Sequence, residues 1–182
     1  FKKSCNMDVF YALSHGVHRG VLKKGKFDER IKFVSKLMDI TPNIKFDIYG
    51  VNNVQPVWAD NYFKAISNSK MGLNLSRGEP IRYYSSDRIT QIIGNGLVTL
   101  IDEKTCYRDF FNDSEMVFYK NVGDLSEKIT KVSKDEKLRK KIAKKGKKKY
   151  LKYFNSTEVA KYIINKTFSL KNKKQNFYWE KP

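Results

Sequence analysis

Residues 70–103, KMGLNLSRGEPIRYYSSDRITQIIGNGLVTLIDE, decide how the rest of the chain is read. Met71 to Leu75 is a short apolar run that gives way to a polar loop from Ser76 to Tyr84. Ser85-Ser86-Asp87 is a cluster of helix N-cap residue types, Arg88 to Ile93 carries Ile89, Ile92 and Ile93 in helical register, and Gly94-Asn95-Gly96 stops the helix. Leu97 to Ile101 is then apolar but for Thr99, the composition of a strand covered on both faces. A strand, a helix and a second strand in this order read as one crossover unit, which makes the two strands parallel.

The same alternation extends in both directions. Upstream, Met7 to Leu13 reads as a strand ending at Ser14-His15-Gly16, Asp28 to Met38 as a helix with Ile31, Val34, Leu37 and Met38 on one side, and Ile44 to Tyr49 as a strand closed by Gly50. Asn61 to Ile66 is a short helix. Downstream come a short helix around Tyr107 to Phe111, a strand Met116 to Tyr119, and helices near Asp124–Val132, Asp135–Tyr153 and Ser156–Phe168, the last with capping-box spacing at Asn155 and Glu158. The expected fold is α/β: a Rossmann-like three-layer domain with a parallel sheet of about five or six strands. Ligands of such sheets sit beyond the carboxyl ends of the strands, which singles out the loops 14–25, 50–60, 76–87 and 102–105.

The chain has 182 residues, 40% apolar and 14% aromatic, enough for one cored domain over residues 1–170 followed by a polar tail, 171–182, in which Phe177, Tyr178 and Trp179 point to local docking. No run approaches the roughly 18 apolar residues of a membrane span, and the first residues do not read as a signal peptide. Cys5 and Cys106 form no framework, and His15 and His18 are the only histidines, which argues against a disulfide scaffold or a four-ligand zinc site and for a reducing, cytoplasmic setting. Because residue 1 is Phe, an additional N-terminal acceptor domain is expected outside this sequence.

Net charge is +18, but its location is the informative part. Residues 131–153 hold twelve Lys/Arg against two acids, +10 in all, with Leu138, Ile142, Gly146 and Tyr150 recurring every four positions. This is a helix with a narrow apolar stripe and a broad cationic face: either the solvated side of a docked helix or a surface for anionic lipid or another polyanion.

Two loops carry the groups for chemistry. Ser14-His15-Gly16-Val17-His18-Arg19-Gly20 is a glycine-containing turn after the first strand, with Arg19, Lys23, Lys24 and Lys26 close behind; small residues let a phosphate approach the backbone and the cations neutralise it. It matches neither the dinucleotide fingerprint nor a Walker loop. In Tyr83-Tyr84-Ser85-Ser86-Asp87-Arg88, hydroxyls and free backbone N–H groups meet at a helix start, where a diphosphate is favoured and Arg88 adds a fork of donors. The same residues also suit plain capping by Ser86 or Asp87 and an ion pair for Arg88.

The series KMGLNLSRGEP, YYSSDRITQIIGNGLVTLIDE, YRDFF, MVFYKN, GDLSEKI and KLRKKIAKKGKKKYLKYFN resembles the nucleotide-sugar-binding C-terminal half of GT-B glycosyltransferases, most closely the group 1 branch that includes spore-maturation-type enzymes. The resemblance covers about Asp8 to Phe168. In that family a strand ends in Asn-x-Ser/His, an Arg opens the following helix, a small-residue and glycine break ends it, and an apolar strand ends in Asp/Glu. Arg88 falls on the family Arg and Gly96 on the glycine. Gln91 falls where a carboxylate usually holds the ribose hydroxyls, and Tyr83 where an earlier glutamate would stand; Glu79 is nearby but out of register.

The resemblance implies a glycosyltransferase whose nucleotide sugar meets Ser14, Gly16, Arg19 and Lys24 at its diphosphate, Gly50 and Val51 at its base, with Trp58 available for stacking, and Tyr84, Ser85, Ser86, Asp87, Arg88 and Gln91 at the helix start. His15 and His18 are the candidates for a catalytic base. No cofactor and no obligatory metal are implied, because helix N–H groups and Arg/Lys carry the leaving diphosphate and no DxD pair is present. The acceptor is a glycan, lipid or protein, and Gln91→Glu is expected to be tolerated. Two alternatives are a basic nucleic-acid-binding module, favoured by the charge and by eleven Tyr with twelve Phe, and a pseudoenzyme that binds without transfer, suggested by Gln91.

Overall fold

The computed structural model describes residues 5–13, 28–52, 54–169 and 177–180. Within them lie β1 (Met7–Ala12), α1 (Glu29–Ile40), β2 (Phe46–Tyr49), α2 (Ala59–Ser67), β3 (Ser69–Asn74), α3 (Arg88–Gly94), β4 (Val98–Asp102), β5 (Val117–Tyr119), α4 (Val122–Lys134), α5 (Glu136–Tyr153) and α6 (Ser156–Thr167). The strands form a single five-stranded sheet, all parallel, in the order β2-β1-β3-β4-β5. The expected short helix around Tyr107 to Phe111 is instead a pair of single 3-10 turns, Glu103–Thr105 and Tyr107–Asp109, because Cys106 between them takes a left-handed backbone (φ 58°) that no α-helix can continue through.

Strand periodicity distributes the core. Val9 pairs with Met71 and Met71 with Val98, while Leu73 pairs with Leu100 and Leu100 with Val117; these rows, with Tyr11 and Tyr119, face α1 and α4. Phe10, Ile101 and Phe118 point to the other face, where α2, α3 and the end of α5 cover them. Each large side chain so buried stabilises by about 1.5–3 kcal/mol before chain entropy is subtracted.

Local caps fix the helix starts. Asp28 accepts from the Arg30 amide, Asn121 from Asp124, Asp135 from Leu138 and Asn155 from Glu158. The apolar stripe of α5 is the one its four-residue spacing predicts: Leu138, Ile142 and Ala143 pack with the first core face and Tyr150 with the second. At Gly146 the helix backbone comes so close to the Glu115 carbonyl that a methyl group would fall on the oxygen. Phe177 is buried, edge-on to Tyr162 at 5.1 Å between ring centroids, and Tyr178 donates to the Phe110 carbonyl at 3.1 Å, so residues 177–180 close over the second core face.

The chain leaves β1 toward β2 on one side and continues from β3 toward β4 and β5 on the other. Loops after β1 and β3 therefore diverge, opening a crevice at the carboxyl ends of these two neighbouring strands.

Candidate functional site

A cavity of about 290 Å³ occupies that crevice, between the end of β1 (Ala12, Leu13), the start of α2 (Val57, Trp58, Ala59, Tyr62, Phe63) and the start of α3 (Asp87, Arg88, Gln91). Trp58 and Phe63 remain 58% and 57% exposed, so their rings are available to a planar ligand instead of being spent on the core. Ala59 holds a left-handed backbone (φ 47°) at the cavity wall, a conformation unfavourable for a residue with a Cβ.

Arg88 is the organised cation of the site. Its Nη1 donates to the Leu75 carbonyl at 3.0 Å and to Ser86 Oγ at 3.2 Å, and its guanidinium stands 5.4 Å from the centroid of the Tyr11 ring. The Tyr11 hydroxyl donates to the same Leu75 carbonyl at 3.2 Å. Burial pushes the Tyr11 phenol up to about 12, against the pull of the Arg88 and Arg30 charges, so it stays a neutral donor.

Ser85 is tied to the end of β3: Asn74 Nδ2 donates to its Oγ at 3.1 Å. Asp87 does not cap α3 with its side chain; its carboxylate accepts from the Gln91 amide at 3.3 Å. The Gln91 amide oxygen accepts a short hydrogen bond from the Tyr62 hydroxyl. Burial raises Tyr62 to about 12, the Arg88 charge opposing and the Asp87 charge reinforcing it. Gln91 is thus held from both ends, as donor to Asp87 and acceptor from Tyr62, a pairing that only a neutral amide provides.

Tyr84 is half-exposed and lines a separate niche with Ser76, Asp102 and Tyr119 at the ends of β3, β4 and β5. Burial raises the Asp102 carboxyl, the nearby Lys104 opposing it. Gly50 turns the chain after β2 with φ 72°, and a side chain there would strike the Leu13 carbonyl. Val51 is 2% exposed and belongs to the core, so its side chain cannot line a base; any contact from this turn comes from backbone. Ser14, His15, Gly16, His18, Arg19, Lys23, Lys24 and Lys26 lie outside the described residues. Tyr11, Tyr62, Phe63 and Asn74 complete the site without having been singled out. Asn74 alone carried a local signal, as the first residue of the Asn-x-Ser that ends β3.

Among the described residues no three His, Cys, Asp or Glu side chains stand together as a metal site. No helix among them is long and apolar enough to cross a membrane.

The doubly wound parallel sheet with its crevice between β1 and β3 and an Arg-opened helix at the mouth fits the Rossmann-like C-terminal half of the GT-B fold that the sequence resembles, and comparison with solved structures bears that fold out. A mutant of TarM from S. aureus, crystallised in complex with fondaparinux, alpha-GlcNAc-glycerol and UDP, superposes with a TM-score of 0.64 at 12% identity, over 90% of this chain and 36% of that one. The chain belongs to the glycosyl transferase-like family, whose model matches residues 30–165. The C-terminal domain of a glycosyl transferase group 1 family protein, LpcC from Francisella tularensis, aligns with a TM-score of 0.49 at 12% identity, over 70% of this chain and 63% of that one. The chain thus spans about a third of the length of TarM and less than two thirds of the LpcC domain. No curated protein sequence matches it.

Proposed function

We propose that this chain is the donor-binding domain of a glycosyltransferase that moves a sugar from a nucleoside diphosphate sugar to a glycan, lipid or protein acceptor, the acceptor side being supplied by another domain. The observation that carries this reading is the crevice between β1 and β3, where Arg88 is braced on Leu75, Ser86 and Tyr11 beside the exposed rings of Trp58 and Phe63. Arg88 and Ser86 take the diphosphate, and Trp58 stacks on the base or sugar. UDP in the TarM complex supports a uridine nucleotide as the first donor to try. The leaving diphosphate is stabilised by guanidinium and backbone N–H groups, with no obligatory metal.

A thermal-shift screen with UDP-, GDP-, CMP- and dTDP-linked sugars tests the reading. A ligand at about 100 times its dissociation constant stabilises by roughly 2.7 kcal/mol; no shift with any of the four classes removes it. Binding without transfer is the second reading, supported by the engaged state of Gln91, and product formation by the full-length protein separates the two. Against a nucleic-acid module, Phe10, Phe111, Phe118 and Tyr119 are buried in the core and cannot stack on bases.

The cytoplasmic face of an anionic membrane is the proposed working location, reached through α5 within residues 131–153. Lys137, Lys141, Lys144, Lys145, Lys148 and Lys152 are exposed along that helix, whereas Lys149 is held by Glu115 at 2.9 Å and is no free lipid ligand. At roughly 1 kcal/mol per Lys near an anionic leaflet, four or five engaged residues give reversible, salt-sensitive binding. Co-sedimentation with anionic vesicles should be lost when Lys144, Lys145, Lys147 and Lys148 are changed to Gln; equal partitioning of both proteins ends the membrane reading.

A further inference from the structure

At the amino-terminal end of β5, the turn that precedes the strand and the 3-10 turn at Tyr178–Glu180 flank α5 and leave a shallow, open cleft of about 500 Å³, lined by Asn112, Ser114, Lys145, Lys148, Lys152 and Tyr178 among others. Its floor is built firmly. Asn112 Oδ1 accepts from the Ser114 backbone N–H at 2.9 Å and from the Ser114 hydroxyl at 2.7 Å, and the Asn112 backbone N–H donates to Glu115 Oε2 at 3.0 Å. Lys149, 18% exposed, pairs with that same Glu115 oxygen at 2.9 Å and lies 5.2 Å from the Phe111 ring centroid, fastening the turn to α5 where Gly146 allows close approach.

The charge count inside the cleft follows from this. Among the described residues that line it, Glu115 is the one carboxylate, and Lys149 already neutralises it. Lys145, Lys148 and Lys152 remain, at helical positions i, i+3 and i+7 of one face. Lys145 reaches the Ser114 hydroxyl at 3.4 Å, Lys152 Nζ lies 4.8 Å from the Tyr153 ring centroid, and among the described residues no carboxylate pairs with Lys148 or Lys152. Tyr153 and Tyr178 stack at 4.3 Å to form an aromatic wall. Three exposed lysines on one helix face, a hydroxyl and an aromatic wall suit a phosphate carried on a hydroxylated body.

We propose that this cleft is a phosphate-recognition site, separate from the crevice at the sheet mouth, for a phosphomonoester or phosphodiester borne either by a lipid headgroup or by a free polyol or sugar phosphate. The lipid source rests on the reading of α5 as a membrane-facing helix; the soluble source does not. The test compares two double variants that each remove two exposed charges from α5: Lys148→Gln with Lys152→Gln inside the cleft, and Lys137→Gln with Lys141→Gln outside it. Each is titrated with sn-glycerol 3-phosphate and with mixed phosphatidylglycerol and phosphatidylcholine vesicles, and the first ligand is used to compete with the second. The proposal expects a loss of about tenfold or more in affinity for the cleft pair and little change for the outer pair. Glycerol phosphate binding without vesicle binding keeps the phosphate site and ends the membrane reading. Equal losses for the two pairs, or vesicle binding that glycerol phosphate neither reproduces nor competes with, overturns the cleft and leaves only diffuse cationic attraction.

Discussion

Tyr11 and Arg88 converge on one backbone atom: the phenol and the guanidinium both donate to the Leu75 carbonyl, at 3.2 and 3.0 Å, while the arginine lies against the tyrosine ring. Leu75, the first residue after β3, is thereby connected to β1 and to the start of α3. Tyr11→Phe removes one donor and keeps the ring. It should lower stability by about 0.5–1.5 kcal/mol and weaken nucleoside diphosphate binding a few-fold, because Arg88 is less firmly placed. Thermal unfolding and titration calorimetry on the same preparations check both; an unchanged affinity would show that the phenol does nothing for Arg88.

Arg88→Ala and Ser86→Ala should reduce affinity for a nucleoside diphosphate far more than for the nucleoside, since both groups are assigned to phosphate. For Arg88→Ala the expected loss is about 1.5–3 kcal/mol, the worth of a charged hydrogen bond. Paired titrations with UDP and uridine measure it, and equal losses for the two would move Arg88 away from the phosphates.

Gln91→Glu would set a second carboxylate against Asp87 on α3. The family resemblance alone suggests tolerance, yet the carboxylate would sit beside Asp87, four residues away on α3, and would lose the amide that Asp87 now accepts from. Like charges at this spacing cost about 0.2–0.5 kcal/mol on a helix surface, in addition to the lost bond. The single variant should be destabilised at neutral pH, with Asp87→Asn restoring it in the double variant. Denaturant unfolding of the four proteins gives the coupling, and strict additivity would mean that the two side chains do not interact.

Gly146→Ala should destabilise despite alanine's better helix propensity. The gain of about 1 kcal/mol expected in an open helix is outweighed by a methyl group lying on the Glu115 carbonyl, a clash that backbone can relieve only by shifting α5 off the sheet, at about 1–3 kcal/mol or more. A raised melting temperature for this variant would contradict the close approach.

Alkaline titration should be staged. Tyr11, Tyr62 and Tyr107 are raised to about 12, in each case chiefly by burial, so they should stay protonated through the range where ordinary phenols ionise. The sign of the linkage is fixed by these shifts: the contribution of Tyr11 is full below the unfolded value of 10.0 and declines as pH climbs toward the folded value, by about 1.4 kcal/mol per pH unit. Absorbance at the phenolate band and unfolding midpoints between these limits test it; full ionisation of all eleven tyrosines with a single ordinary midpoint would refute it.

Much of the fold was legible because its signals are short-ranged. Asp28, Asp135 and Asn155 cap helices through bonds to amides two or three residues away, and an alternating run such as Ile44 to Tyr49 needs no partner to be recognised. The 3-10 turns around Cys106 were not legible, since nothing in that residue type announces a left-handed backbone. The family resemblance implies a base contact at Val51, but burial against the first core face withdraws its side chain.

By itself, then, the sequence determined the parallel α/β architecture, the starts of α1, α3, α5 and α6 and the position of Arg88 at the mouth of the sheet, because turn residues, caps and hydrophobic periods act within a few residues of one another. Only the tertiary structure decided which of those groups are free to work. Tyr11 meets the Leu75 carbonyl across 64 positions, Tyr62 engages Gln91 across 29, and Lys149 is neutralised by Glu115 across 34. Pairings at such separations arise from strand order and helix packing, through which a side chain's partner and its exposure are set by segments that no local pattern can identify.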